Sequence, residues 1–233
     1  MRIPDIVRMG VLGVLYVVTA QMGLTLDAVN GFAAAVWPPT GLALVALVLY
    51  GPHLWPSVAL SAFFVNWWAG APVLVAGGMA LGNTLEALLG SVLLTRVVRF
   101  RPALDRLRDV LGLLVLAAGL SPLVSATLGV TSGWLGGVIP AATYGQAWRT
   151  WWLGDALGAL VVAPLLFVWS GPGRGALPRR RLPEALLLLV TVGVLSLAVF
   201  GDLLDPIHPH FPCLVFPPAR SNCRGNVDGG FPL

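Results

Sequence analysis

Hydrophobic residues along this chain fall into long unbroken blocks rather than alternating with polar ones. Windows of about 17–25 apolar residues, the length that crosses a hydrocarbon core, predict seven spanning helices at 9–26, 33–50, 54–70, 73–94, 110–131, 152–169 and 183–201. The stretch 132–150 is semi-polar and broken by Pro140, which predicts a re-entrant or interfacial loop. The fourth block has an internal pattern. Gly78, Gly82, Glu86 and Gly90 recur every four residues and so share one helix face, with Asn83 one turn before Glu86. Small-residue faces are where membrane helices approach closely. An ionised carboxylate in lipid costs roughly 2.5–3.5 kcal/mol, so Glu86 is expected to point into a bundle.

Composition agrees with the blocks. The 233 residues are 57% hydrophobic and 10% charged, with mean hydropathy +0.86, whereas a soluble domain carries about 25% charged residues. The expected fold class is an all-α integral membrane protein, a polytopic helical bundle of about seven transmembrane helices. The net charge is +4 and every basic residue other than His is an arginine. These arginines lie between apolar blocks rather than on one patch, which argues against a nucleic-acid partner.

Their order sets an orientation. Arg2 and Arg8 precede the first span, Arg96 to Arg108 follow the fourth, and Arg174 to Arg181 follow the sixth. With this span count all three groups fall on one side, cytoplasmic by the positive-inside rule, which places the N-terminus inside. A cleaved signal peptide ending near Val18-Thr19-Ala20 is the alternative for the first block.

Candidate chemistry is sparse. Trp37-Pro-Pro-Thr-Gly41 opens the second span, and its two prolines remove backbone donors. It reads either as a broken-helix ligand site or as an ordinary helix entry with an aromatic belt residue. Asp155 is placed in the first turn of the sixth span, where it would complement the helix dipole. Alternatively Asp155, Arg149 and Glu86 line one outward-opening cleft, with Asp155 at its mouth and Glu86 deeper. Trp37, Trp67, Trp68, Trp134, Trp148, Trp151 and Trp152 all map to the outer side. That bias suggests a pocket that stacks on a ligand ring or holds a cation, or else an asymmetric belt. The expected ligand-binding residues are Glu86, Asn83, Asp155, Trp37, Asn66, Trp152 and Arg149. Asp202, Asp205, His208 and His210 cluster late in the chain, but Pro206 and Pro209 make their spacing irregular. Cys213 and Cys223 have no metal-type spacing. No metal, cofactor, catalytic triad, phosphate-binding loop or catalytic domain is expected.

The motifs together resemble the MASE1 family of membrane-associated sensor domains. The carriers are Trp37-Pro-Pro-Thr-Gly41, then Leu49-Tyr-Gly-Pro-His-Leu-Trp-Pro56 and Gly82-Asn-Thr-Leu-Glu-Ala87. Ser121-Pro122 with Ser125-Ala-Thr127, and Trp152-Leu-Gly-Asp155 within Trp148 to Pro164, continue the match. The resemblance covers about 180 residues and implies about eight spans, normally fused to a histidine kinase, a diguanylate cyclase (GGDEF) or a phosphodiesterase (EAL) domain. It implies a membrane-embedded sensory input module of the two-component or cyclic-di-GMP type, in the bacterial plasma membrane. Its partners would be the lipid bilayer, an unknown small-molecule ligand, and a second copy through signalling helices. The alternative is a small-solute or ion transporter that uses the intramembrane carboxylate. The domain is expected over 1–216. Residues 217–233 read as a polar tail unlike the eighth span of the family, as a frameshift or truncation would produce.

Overall fold

Two consecutive prolines decide where the second helix begins. Pro38 and Pro39 lock φ and lack N–H groups, which suits the first helical turn and pushes the residue before them out of helical geometry. Trp37 accordingly sits at φ −112° and ψ 85°, and α2 runs Pro38–Tyr50. The helix does not extend back to residue 33 as the hydropathy window predicts. Instead β1 (Ala28–Val29) and β2 (Ala33–Ala34) pair antiparallel, with Ala28 opposite Ala34. Asn30-Gly31 lies between them in the chain, the dipeptide that most favours a hairpin turn. Non-helical backbone is tolerated at membrane depth only where protein covers it, and β2 lies against α1 and α7.

The computed structural model describes residues 3–26, 28–29, 33–34 and 36–170. The expected span 183–201, the arginines at 174–181, the group at 202–210, both cysteines and the tail 217–233 lie outside the described residues. The remaining elements are α1 (Ile3–Leu26), α3 (Trp55–Trp68), α4 (Val73–Val92), α5 (Leu107–Leu111), α6 (Pro122–Leu135) and α7 (Tyr144–Ser170). Helix α4 continues through a widened π-helical turn, Leu93–Val98. A second π-helical stretch, Gly112–Leu120, joins α5 to α6, and there Ser121 N–H donates to Leu116 O, five residues back (3.1 Å). Among the described residues, four continuous helical stretches are long and apolar enough to cross a membrane: Asp5–Leu24, Val73–Val98, Leu107–Leu135 and Ala141–Ser170. Helices α2 and α3, at 13 and 14 residues, span only about 20 Å at 1.5 Å per residue.

The loop expected over 132–150 is mostly helix. Helix α6 runs on to Leu135 and α7 starts at Tyr144, after a short 3-10 turn at Ala141–Thr143. Gln146, Arg149 and Thr150 lower the hydropathy of that window without opposing helix, so an apolar-run reading starts this helix too late in the chain. Helix α7 also carries Pro164 in its interior; membrane helices absorb such a proline through neighbouring groups.

Helix α4 is the centre of the bundle, packed against α2, α3 and α6, while α7 packs on α2 and α6, and α1 on α2 and α3. The glycine face of α4 meets α6: a Cβ on Gly82 would lie 3.2 Å from Ser125 O, and one on Gly90 3.1 Å from Ser121 Oγ. At one end of the bundle Arg8 pairs with Asp5 (3.4 Å) and lies over the Tyr50 ring, while His53 approaches Asp5 (3.5 Å). These contacts tie the start of α1 to the α2–α3 turn. Arg99 and Leu104 take positive φ in the α4–α5 connection, where the fully buried Asp109 accepts the Arg101 N–H (3.3 Å).

Candidate functional site: a polar cluster in the bundle core

Five polar side chains from four helices meet at mid-depth. Thr40 comes from the first turn of α2, Asn83 and Glu86 from α4, Ser125 from α6 and Asp155 from α7; each is at least nine-tenths buried. Glu86 lies near the middle of Val73–Val98, and Asp155 near the middle of Ala141–Ser170. Asp155 therefore does not sit in a first helical turn, because α7 begins at Tyr144, three turns earlier. The dipole explanation for it fails, and it lies level with Glu86 rather than at the mouth of a cleft.

Hydrogen bonds knit the group across helices. Thr40 Oγ1 donates to Asp155 Oδ1 (2.8 Å). Ser125 Oγ lies 2.9 Å from Asp155 Oδ2 and 2.8 Å from Asn83 Oδ1, and it accepts the Trp151 indole N–H at 2.9 Å. The Glu86 carboxyl faces Asp155 and Ser125, yet its Oε1 is buried with no hydrogen-bond partner. Tyr16, 1% exposed on α1, brings its hydroxyl toward the Trp37 indole and both carboxyls. Among the described residues no arginine or histidine forms an ion pair with Glu86 or Asp155.

Close backbone approach makes this meeting possible. Trp37 N–H donates to Gly154 O across the α2–α7 contact (2.8 Å). A Cβ on Gly158 would collide with Trp37 O, and one on Gly41 would stand 2.5 Å from Gly158 O. Only glycine at 41 and 158 lets α2 and α7 come near enough for Thr40 to reach Asp155.

The expected site residues divide. Glu86, Asn83 and Asp155 come together, and Trp37 borders them as a buried core residue beside Tyr16. Asn66 is buried but turns back on its own helix, donating to Ala62 O (2.8 Å). Trp152 donates to Gly119 O (3.0 Å), on the π-helical segment rather than in the cluster. Arg149 is exposed and its Nε donates to Gly145 O (3.1 Å), so it does not pair with Asp155. The tryptophans do not gather into one pocket: Trp67, Trp68 and Trp134 are exposed, and Trp148 reaches Thr127 (3.1 Å). Tyr16, Thr40, Ser125 and Trp151 complete the cluster without having been singled out as site residues. For Thr40 and Ser125 a signal existed, since both lie inside the quoted motifs.

The arrangement is a closed set of oxygens with two carboxyls, one of them with a free acceptor, held at the junction of every long helix described. The MASE1 family model matches residues 8–219. A curated relative, the protein named probable diguanylate cyclase DgcE of Escherichia coli (strain K12), is 28% identical over 160 residues, 66% of this chain and 14% of that protein. The chain thus matches only a small part of that relative's length. No solved structure matches.

Proposed function

We propose that this chain, which belongs to the MASE1 family of membrane sensory domains, uses its mid-membrane polar cluster to receive the signal. In this reading it is the input module of a bacterial plasma-membrane signalling protein with its N-terminus cytoplasmic, and α7 leads toward the output side. The single observation that carries the reading is the convergence of Glu86 and Asp155 from α4 and α7, bridged by Ser125 of α6. A ligand that binds one packing of these helices better than another shifts the balance between them, by no more than its differential affinity. The partial likeness to a diguanylate cyclase supports cyclic-di-GMP synthesis as the output to be controlled, with the kinase and phosphodiesterase pairings of the family resemblance as the other candidates. The domain then extends over about 1–216 with 217–233 as a separate tail, and a second copy associates through the signalling helices.

The test is a chimera in which this chain replaces the matching segment of that relative, with cellular cyclic-di-GMP as the readout. Glu86→Gln and Asp155→Asn are expected to change the output several-fold while membrane insertion stays intact. Output identical to the unmodified chimera in both variants would remove the cluster from signalling. Solute uptake by vesicles holding the chain alone would favour the transporter reading instead.

A further inference from the structure

With both carboxyls ionised, the hydrogen count of the polar cluster does not close. Ser125 has one hydroxyl hydrogen but faces two acceptors, Asn83 Oδ1 at 2.8 Å and Asp155 Oδ2 at 2.9 Å. Its lone pairs already take the Trp151 N–H. A carboxyl hydrogen on Glu86 directed at Asp155, which it faces, would relieve that conflict. It would leave untouched the second deficit, Glu86 Oε1, which is buried and has no partner. A buried carboxyl is neutralised by a proton, paired, or bound to a cation, and among the described residues no arginine or histidine ion-pairs with this one.

We infer that Thr40, Asn83, Glu86, Ser125 and Asp155 form a binding site for one dehydrated alkali cation of sodium's size. The inference rests on the reading of this cluster as the signal-receiving site and names its ligand. All five donors are oxygen, the set that hard cations take. Size excludes organic ammonium ions, because the backbones of α2 and α7 already touch at Gly41, Gly158 and Trp37. Divalent ions fit poorly. Mg²⁺ keeps most of its waters, and Ca²⁺ favours six to eight oxygens including bidentate carboxylates. Here both Asp155 oxygens are held by hydroxyls, leaving one free carboxylate oxygen at Glu86. Entry of the cation exchanges the Ser125 bonds to α4 and α7 for ion contacts, so occupancy acts directly on the spacing of α4, α6 and α7.

Thermal unfolding of the purified full chain in nanodiscs tests this at equal ionic strength in sodium, potassium, choline and calcium chlorides. Sodium at 100-fold above its dissociation constant should raise the midpoint by roughly 5–10 °C, with a saturating dependence that Glu86→Gln removes. Equal midpoints in sodium, potassium and choline would overturn the inference, as would stabilisation by calcium alone or a sodium effect that survives Glu86→Gln. Should Glu86→Gln fail to fold, ²³Na line broadening by the unaltered protein decides: saturable broadening is expected, and its absence overturns the site. The sensory reading fails separately. If sodium stabilises the chain but the cyclase chimera ignores Glu86→Gln, the site stands and its signalling role falls. If the chimera responds to Glu86→Gln but no sodium effect exists, only the ligand is wrong.

Discussion

Replacing Gly158 with Ala adds a single methyl group, and the structure places it against a backbone carbonyl that has nowhere to go. The Cβ would collide with Trp37 O, at the start of a helix whose first two residues are prolines. Relief requires α2 to move away from α7. That motion stretches the Trp37 N–H to Gly154 O bond (2.8 Å) and the Thr40 to Asp155 bond (2.8 Å) together. Overpacking costs about 1–3 kcal/mol, and interhelical hydrogen bonds in membrane proteins are worth about 0.6 and at most about 1.7 kcal/mol each. The expected loss is therefore about 2–6 kcal/mol, a large share of the roughly 5–15 kcal/mol that holds a typical fold. Gly77 of α4 and Gly145 of α7 are controls, since a Cβ at either meets nothing within 4 Å. There Ala should be neutral or stabilising by up to about 1 kcal/mol through helix propensity. Denaturant titration in detergent, followed by tryptophan fluorescence and far-UV circular dichroism, compares the three variants. Should Gly158→Ala fall within about 0.5 kcal/mol of Gly77→Ala, the tight α2–α7 contact and the cluster geometry built on it would be wrong.

Other substitutions separate the members of the cluster from their neighbours. Ser125→Ala leaves Trp151 N–H buried without an acceptor and should cost about 1–3 kcal/mol, read as a lower unfolding midpoint with altered Trp emission. Thr40→Val removes the donor to Asp155 Oδ1 at nearly constant volume and should destabilise measurably, whereas Thr40→Ser should restore most of the loss; equal midpoints for the two would dissociate that hydroxyl from the site. Arg149→Gln, at an exposed residue bonded only within its own helix turn, should leave stability within about 0.5 kcal/mol and chimera output unchanged. A strong output effect there would restore the outward-cleft arrangement that the geometry does not support.

How far the sequence reveals this site depends on what each residue type can do inside a helix. Glu86 was legible because a carboxylate has no way to satisfy itself within an apolar helix and must face protein or water. Its face was legible too, since Gly78, Gly82 and Gly90 repeat at helical spacing and lie against α6. Hydroxyls carry no such message. Thr84 donates to Ala80 O, Thr95 to Ser91 O and Ser132 to Leu128 O, each to its own helix. A serine or threonine can always turn back in that way, so nothing local marks Ser125 and Thr40 as the ones that reach across. Trp151 and Trp152 are adjacent in sequence, and about 100° of helical rotation sends one to Ser125 and the other to Gly119. Choosing between them needs the rotation of α7 against its neighbours. That rotation is fixed by which residues allow close approach, Gly154 and Gly158 beneath Trp37, and these positions are informative only when their partners across the interface are known. The depth of Asp155 follows from the same limit: hydropathy sees where apolar residues stop, and α7 continues outward through Arg149 and Gln146 because backbone hydrogen bonding continues past that boundary.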